Sequence, residues 1–278
     1  MIGIFLIAAA EIFAEASTSV GKYEVEKKRE SLYAWGFLSA FWALIFLVLI
    51  AIFKEGSFVF TLSSLPTFIS RAVVEIVLTF ISLHAVLTAD RSTFSFLRIV
   101  TIPLLLIVDT ALGYRLSFEQ YAGIGVLVVT LIFLLMNHGL SAKGKFISLI
   151  SAVLATATIS LYKFDITHYN SVVAEQLLMY IILLVSFIIA AKWYSKENVF
   201  KYLLHPIFLG QSLFAGIAGL LASFAYLFAP ASVISTARRA FEILISIISG
   251  RTFFHEKHLF VKIVSFIFIF IGTILLII

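Results

Sequence analysis

The chain has 278 residues, 62% of them hydrophobic and 13% charged, with no cysteine and a formal net charge of +5. Its mean hydropathy is +1.12. That balance excludes an ordinary water-soluble domain, which is nearer half apolar and a quarter charged. The missing cysteines exclude disulfides, thiolate metal centres and cysteine nucleophiles.

The N-terminal stretch IGIFLIAAAEIFAEASTSVGK lacks the basic leader of a signal peptide and carries two glutamates in its core, so it reads as a retained first helix. Beyond it the apolar residues are gathered into runs. FWALIFLVLIAIF, IGVLVVTLIFLLM and IVSFIFIFIGTILLII carry no charge at all. Runs of about 20 apolar residues are long enough to cross hydrocarbon. The pattern predicts an all-α integral membrane protein with ten transmembrane helices, at roughly 2–21, 32–53, 66–88, 91–111, 118–137, 145–163, 171–192, 206–228, 232–250 and 259–278. The connections are short and leave no room for a soluble domain. Those between helices three and four (TADRS) and eight and nine (APAS) are almost absent.

That parallel points to a repeat. Sliding one half of the chain onto the other at a single constant offset pairs Pro66 with Pro206, Ala85 with Ala225, Ser92 with Ser232, Ser95 with Ser235, Arg98 with Arg238 and Leu104 with Leu244. AEASTSVGK aligns with ATATISLYK at an offset one residue longer. The expectation is two five-helix halves, 1–140 and 141–278. Because five is odd, the halves cross the membrane in opposite senses, an inverted-topology arrangement typical of transporters with the substrate path between the repeats. Loop Lys and Arg concentrate on one side (Lys22, Lys27, Lys28, Arg29, Arg91, Lys192 and Lys196 among them) against Lys54, Arg115 and Lys163 on the other. By the positive-inside rule this puts both termini outside. It also accounts for the basic balance, so no nucleic-acid partner is expected.

Four helices carry ionisable residues at depth. In helix nine Ser235, Arg239, Glu242, Ser246 and Ser249 fall on one stripe, with Arg238 at its edge. Helix one aligns Glu11, Glu15, Thr18 and Lys22. Helix three aligns Arg71, Glu75, Thr79 and Ser82, and helix four Ser95, Arg98 and Asp109. Such stripes are expected to face the bundle interior or a water-filled cavity. The plain alternative is local neutralisation by i,i+4 pairs, Arg71 with Glu75 and Arg238 with Glu242. It does not cover Glu11 and Glu15, like charges one turn apart that need a cation from another helix or a shared proton. Nor does it cover Arg98, which has no acid within a turn. A closed structural network is a further alternative, weakened because buried ion pairs stabilise a fold poorly. Arginine suits a carboxylate or phosphate, which it grips bidentately. An intramembrane carboxylate suits a proton or an organic cation.

Other residues carry weaker signals. His84 reads as a proton relay or as a plain interfacial histidine. Tyr162 and Gln211 are candidate substrate contacts, and Glu175 and Gln176 read as wetted residues at a helix start. Gly216 and Gly219 offer a small surface for close helix contact. HEKH lacks zinc spacing, and no P-loop, nucleophile elbow or dinucleotide fingerprint occurs, so no metal, cofactor or enzymatic activity is expected.

The ten helices, the five-plus-five repeat, the minimal connections at 88–92 and 229–232, and the turns GYRLSFEQYAGIGVL and HEKHLFVKIVSFIFIFIG before the last helix of each half resemble the drug/metabolite transporter superfamily, in its EamA-like branch. The usual Gly-Glu before helix five is Gly113-Tyr114 here, and only Glu256 remains before helix ten. The resemblance implies a multi-pass protein of the cytoplasmic membrane with termini inside, against the loop charges. AEIFAEASTSVGK also looks like the first helix of small multidrug transporters, which would make Glu15 a proton and cation site. The basic residues Arg98, Arg238 and Arg239 look like those that hold phosphate in plastid phosphate translocators.

The expected function is a secondary transporter moving a small polar metabolite by alternating access, with helices five and ten peripheral. Arg98, Arg238, Arg239, Arg71, Glu75, Glu242, Tyr162 and Gln211 are the candidate substrate contacts. Glu11 and Glu15 would take a substrate ammonium or a coupling proton, and His84 a proton. Alternatives are a flippase for a lipid or lipid-linked headgroup and a proton-coupled exporter of cationic drugs. The expected partners are a small-molecule substrate and the lipid bilayer, with the chain as a monomer or homodimer.

Overall fold

The computed structural model describes residues 2–111, 117–137, 140 and 142–277. Gly113, Tyr114, Arg115 and the side chain of Asp109 lie outside the described residues. The regular structure among the described residues is helical throughout: α1 Ile2–Glu26, α2 Leu32–Phe53, α3 Leu65–Thr88, α4 Arg91–Leu97, α5 Thr101–Ala111, α6 Phe118–Met136, α7 Lys145–His168, α8 Val172–Ala190, α9 Pro206–Ala225, α10 Ala231–Thr252 and α11 Leu259–Ile277. Among the described residues seven segments are long and apolar enough to cross a membrane. α10 is not one of them despite its 22 residues, because Arg238, Arg239, Glu242 and Arg251 lower its hydropathy. Large apolar side chains such as Phe53, Phe118, Leu204 and Phe260 stand exposed on the outside, a surface that suits hydrocarbon and not water. The architecture is that of an all-α, multi-pass membrane protein.

Local chemistry explains several boundaries. Ser31 and Ser171 cap α2 and α8, each accepting a hydrogen bond at 3.1 Å from the backbone N–H three residues on. Pro66 and Pro206 sit in the first turns of α3 and α9, where a missing N–H costs nothing. The segment read as one helix at 91–111 is interrupted by a 3-10 turn over Arg98–Val100. Pro103 is the physical reason: it has no N–H to donate, and its ring crowds the carbonyl four residues back, at Ile99. The break sets Arg98 at a bend in the bundle interior.

The helices run between two ends. At the first end lie the start of α1, the 53–65 connection, the 168–172 turn and the 225–231 connection. Here Thr61 N–H donates to Asn170 Oδ1 at 2.9 Å, and Thr61 Oγ1 donates to the Tyr169 carbonyl at 2.9 Å. At the second end lie the 26–32 turn, the α3–α4 step, the α8–α9 connection and the α10–α11 turn.

α1 runs along α9 and α10, and α3 runs along α7, which also lies against α4 and α5. α2 lies against both α8 and α9, while α6 packs chiefly on α11. The starts of α2 and α8, and of α4 and α10, are separated by the same offset that pairs Pro66 with Pro206. One interface is much tighter than its counterpart: α2 lies along α9 over most of its length, whereas α3 touches α8 only briefly. Gly216 is why α9 comes so near. A Cβ there would sit 2.6 Å from Trp42 Cβ and 2.8 Å from the Ala43 nitrogen. Gly216→Val is expected to push the two helices apart and to cost about 1–3 kcal/mol, read as a lowered unfolding temperature in detergent.

Two residues that read as loop charges are internal anchors. Lys22 is buried and its Nζ donates to the Ala89 carbonyl at 2.8 Å. Arg91 is buried against Glu15. Both follow from the same fact: α1 extends to Glu26 and α4 begins below the rim of the bundle, so neither charge reaches the surface.

Candidate functional site

A polar cavity of about 310 Å3 lies in the middle of the bundle. Its wall comes from α1 (Ser17, Thr18), α2 (Ser39), α3 (Arg71, Glu75), the 3-10 turn (Arg98), α7 (Thr158, Tyr162), α8 (Gln176, Tyr180), α9 (Ser223) and α10 (Arg238). A second space of about 180 Å3 shares Thr18, Ser39, Arg98 and Arg238 with it and continues toward Glu11, Glu15, Arg91 and Glu242. The polar stripes therefore meet on one interior surface, because each helix repeats its polar residues every three or four positions and turns that face inward.

The ion pairs run between helices more than along them. Arg238 Nε donates to Glu11 Oε1 at 2.7 Å. Arg71 Nη1 donates to Glu175 Oε1 at 2.7 Å, and its Nη2 donates to Gln176 Oε1 at 3.1 Å. The same guanidinium lies 4.5 Å from the Tyr162 ring centroid, and Tyr162 donates its hydroxyl to the Ser223 carbonyl at 2.9 Å. The local pairs expected for Arg71 with Glu75 and for Arg238 with Glu242 are not formed. Glu242 is taken by Arg239, the neighbour three residues before it.

Glu15 carries four hydrogen bonds. Arg91 donates from Nη2 at 2.5 Å and from Nε at 3.2 Å, Ser249 at 2.5 Å and Ser19 at 3.0 Å. Both helix-one carboxylates are thus answered by cations from elsewhere, the outcome that like charges one turn apart require.

Two cavity groups are not answered. Arg98 makes no ion pair among the described residues, and its Nε is buried without an acceptor. It lies 5.3 Å from the Phe94 ring. Its basic neighbours Arg238 and Arg239 are paired with Glu11 and Glu242, which leaves Arg98 without an ion-pair partner among the described residues. Arg239 also keeps Nε and Nη2 buried without acceptors. Glu75 lines the same cavity and is half-buried, and its carboxylate has no hydrogen-bond or ion-pair partner among the described residues.

His84 and Gln211 lie elsewhere. His84 is exposed on the outside of α3 and does not line the cavity. Gln211 is buried beside Glu30 at the second end and donates to it. Among the described residues no three His, Asp or Glu side chains converge as metal ligands would.

Sequence reasoning missed several partners. Glu175 is not wetted: it is fully buried, holds Arg71, and accepts from Asn170 Nδ2 at 2.7 Å. Glu256 accepts the Arg91 backbone N–H at 2.6 Å, the Ser92 hydroxyl, and Lys262 Nζ at 2.9 Å. Burial pushes the Glu256 carboxyl up, but the bonds from Ser92, Lys262 and Arg91 outweigh it and hold it below the ordinary carboxylate range. Asp165 accepts from Thr67 at 2.5 Å. The position of Glu175 and Asn170 beside a helix cap was the available signal.

No protein-family model matches the chain, and no curated protein sequence matches it.

Proposed function

We propose that the protein is a secondary transporter of a small charged metabolite, of the drug/metabolite type, working by alternating access between two inverted five-helix halves in the cell membrane. The observation that carries the reading is Arg98: a half-buried guanidinium at a helix break, lining a mid-bundle cavity, with no ion-pair partner among the described residues. A closed structural network would pair such a charge, since an unpaired cation in a bundle interior is costly. A site awaiting an anion leaves it open.

The pairing pattern supports the two-halves part. With segments numbered in chain order, one with eight answers six with three, and one with nine answers six with four. Segments two with seven, four with nine and five with ten pair across the centre. The substrate's carboxylate or phosphate would lie on Arg98 with Arg238 beside it. Since Glu11 and Glu15 are engaged by Arg238 and Arg91, Glu75 is the carboxylate left to take a substrate ammonium, so an amino-acid-like zwitterion fits both ends of the cavity.

The test is transport in proteoliposomes across a panel of carboxylated, phosphorylated and zwitterionic metabolites. Uptake or efflux of at least one anion-bearing class is expected. Glu75→Gln should reduce transport of zwitterions about tenfold or more while sparing simple anions. Equal loss across the panel would remove Glu75 from substrate recognition, and no transport of any class would remove the reading.

A further inference from the structure

The turn between α1 and α2 carries Glu30, immediately before the cap Ser31. Its side chain is buried at 4% exposure and faces Gln211 of α9, at 1%. Gln211 Nε2 donates to Glu30 Oε1 at 3.1 Å. Two acceptors remain, Glu30 Oε2 and Gln211 Oε1, both buried and both without a donor among the described residues. Rotating the amide by half a turn would only set its oxygen against the carboxyl oxygen.

The surroundings offer no counter-charge. Glu24 of α1 is turned to the exposed Arg29 at 3.4 Å. Glu197 of the α8–α9 connection accepts from Ser31 Oγ and, at 2.7 Å, from the Tyr202 hydroxyl, with Lys201 at 3.9 Å. No Lys, Arg or His lies within ion-pair distance of Glu30 among the described residues. A carboxyl group is therefore set among two carboxylates and an empty acceptor. A single proton resolves every conflict: on Glu30 Oε2 it can be donated to Gln211 Oε1, which closes a ring of two hydrogen bonds and leaves no buried group unsatisfied.

The opposite end supplies a comparison. At the repeat offset Asn170 and Ser171 correspond to Glu30 and Ser31, and Gln211 corresponds to Arg71. Two of these positions there, Arg71 and Asn170, build an ionic clasp on Glu175, whose counterpart at the second end is Trp35. At the second end the arginine is replaced by a glutamine and the asparagine by a glutamate, so a proton takes the place of the salt bridge. Exposed Lys27, Lys28 and Arg29 in the same turn bring solvent to within a few residues of it.

We propose that Glu30 is a proton-binding site, that its protonated carboxyl and the Gln211 amide form a neutral clasp holding the α1–α2 turn against α9, and that loss of this proton releases the second end of the bundle. The site does not depend on the transport reading; within that reading it gates one face of the cavity.

Burial pushes the Glu30 carboxyl up to about 8; the Gln211 bond opposes this and the nearby Glu24 and Glu197 add to it. The clasp keeps its proton when closed and loses it when open. Its stability is fully present below the ordinary glutamate value of 4.5 and is lost as pH rises toward about 8.

The test uses the full chain in lipid nanodiscs, with no substrate. Infrared difference spectra should show a carboxylic-acid C=O band near neutral pH that disappears on titration through about 8 and is missing in Glu30→Gln. Hydrogen–deuterium exchange, corrected for the intrinsic rate, should show protection of residues 27–34 falling about tenfold per pH unit between about pH 5 and 8, the slope for one proton released on opening. Glu30→Gln, which mimics the protonated acid, should hold protection flat. Absence of the Glu30-dependent band overturns the proton site. A flat profile in the parent, or the same slope in Glu30→Gln, overturns its hold on the clasp. Neither outcome bears on transport, so this site and the transport reading fail separately.

Discussion

Arg98→Ala is expected to weaken substrate binding on the order of 100-fold and to abolish measurable transport in proteoliposomes, with thermal stability unchanged or raised. The first half follows from removing the unanswered cation on which an anionic substrate would rest; truncating one partner of a buried charge pair costs about 2–5 kcal/mol. The second follows from Arg98 having no ion-pair partner among the described residues to leave behind. Buried arginines paired to glutamate, such as Arg71 and Arg239, cannot be removed so cheaply. Arg98→Lys keeps the charge but loses the planar fork and should retain a fraction of the activity. Unchanged transport in Arg98→Ala would take the substrate away from this residue, and a large stability loss would mark it as structural.

Glu15→Gln is expected to lower stability by about 3–5 kcal/mol, the cost of leaving a buried partner charge unpaired. Glu15 is the centre of a clasp in which Arg91, Ser249 and Ser19 all donate to one carboxylate. Neutralising it strands the Arg91 guanidinium, buried at 3% exposure. The double substitution Glu15→Gln with Arg91→Met removes both charges and should recover most of the loss in thermal unfolding. This distinguishes a structural carboxylate from a proton carrier. A carrier would tolerate glutamine in folding and lose only its response to a pH gradient, which is the outcome that would return Glu15 to a proton-coupling role.

The helices and their polar faces were legible because both are periodic. Helix starts at Leu32, Arg91, Pro206 and Ala231 fall within a residue or so of where apolar runs, prolines and short connections put them. The stripes of α1, α3 and α10 face inward for the reason that made them visible. Partners were not legible, because a salt bridge between helices depends on depth and rotation that no local pattern encodes. Arg71 had Glu75 one turn away and chose Glu175, far along the chain, since Glu175 starts a helix at the same depth. Arg91 looked like a loop charge because the connection before it is so short, and that brevity is what sinks it below the rim. The break at Arg98–Val100 was not read from the sequence, although its cause, Pro103, stands there as a single proline inside an apolar run. Glu30 and Gln211 carried no signal beyond being polar, and only their mutual burial reveals that both keep an idle acceptor.

The tight seam at Gly216 bears on how the molecule rests. At the repeat offset, Gly216 corresponds to Ile76 and Ala43 to Leu183. Two small residues let α2 and α9 touch, whereas the corresponding faces of α3 and α8 present two branched side chains. If the halves exchange roles, the mirror-image seam cannot close to the same distance, and the two arrangements are unequal in free energy. The molecule then rests in the arrangement with the α2–α9 seam closed, and whatever drives it across must bind the other arrangement more tightly by at least that difference.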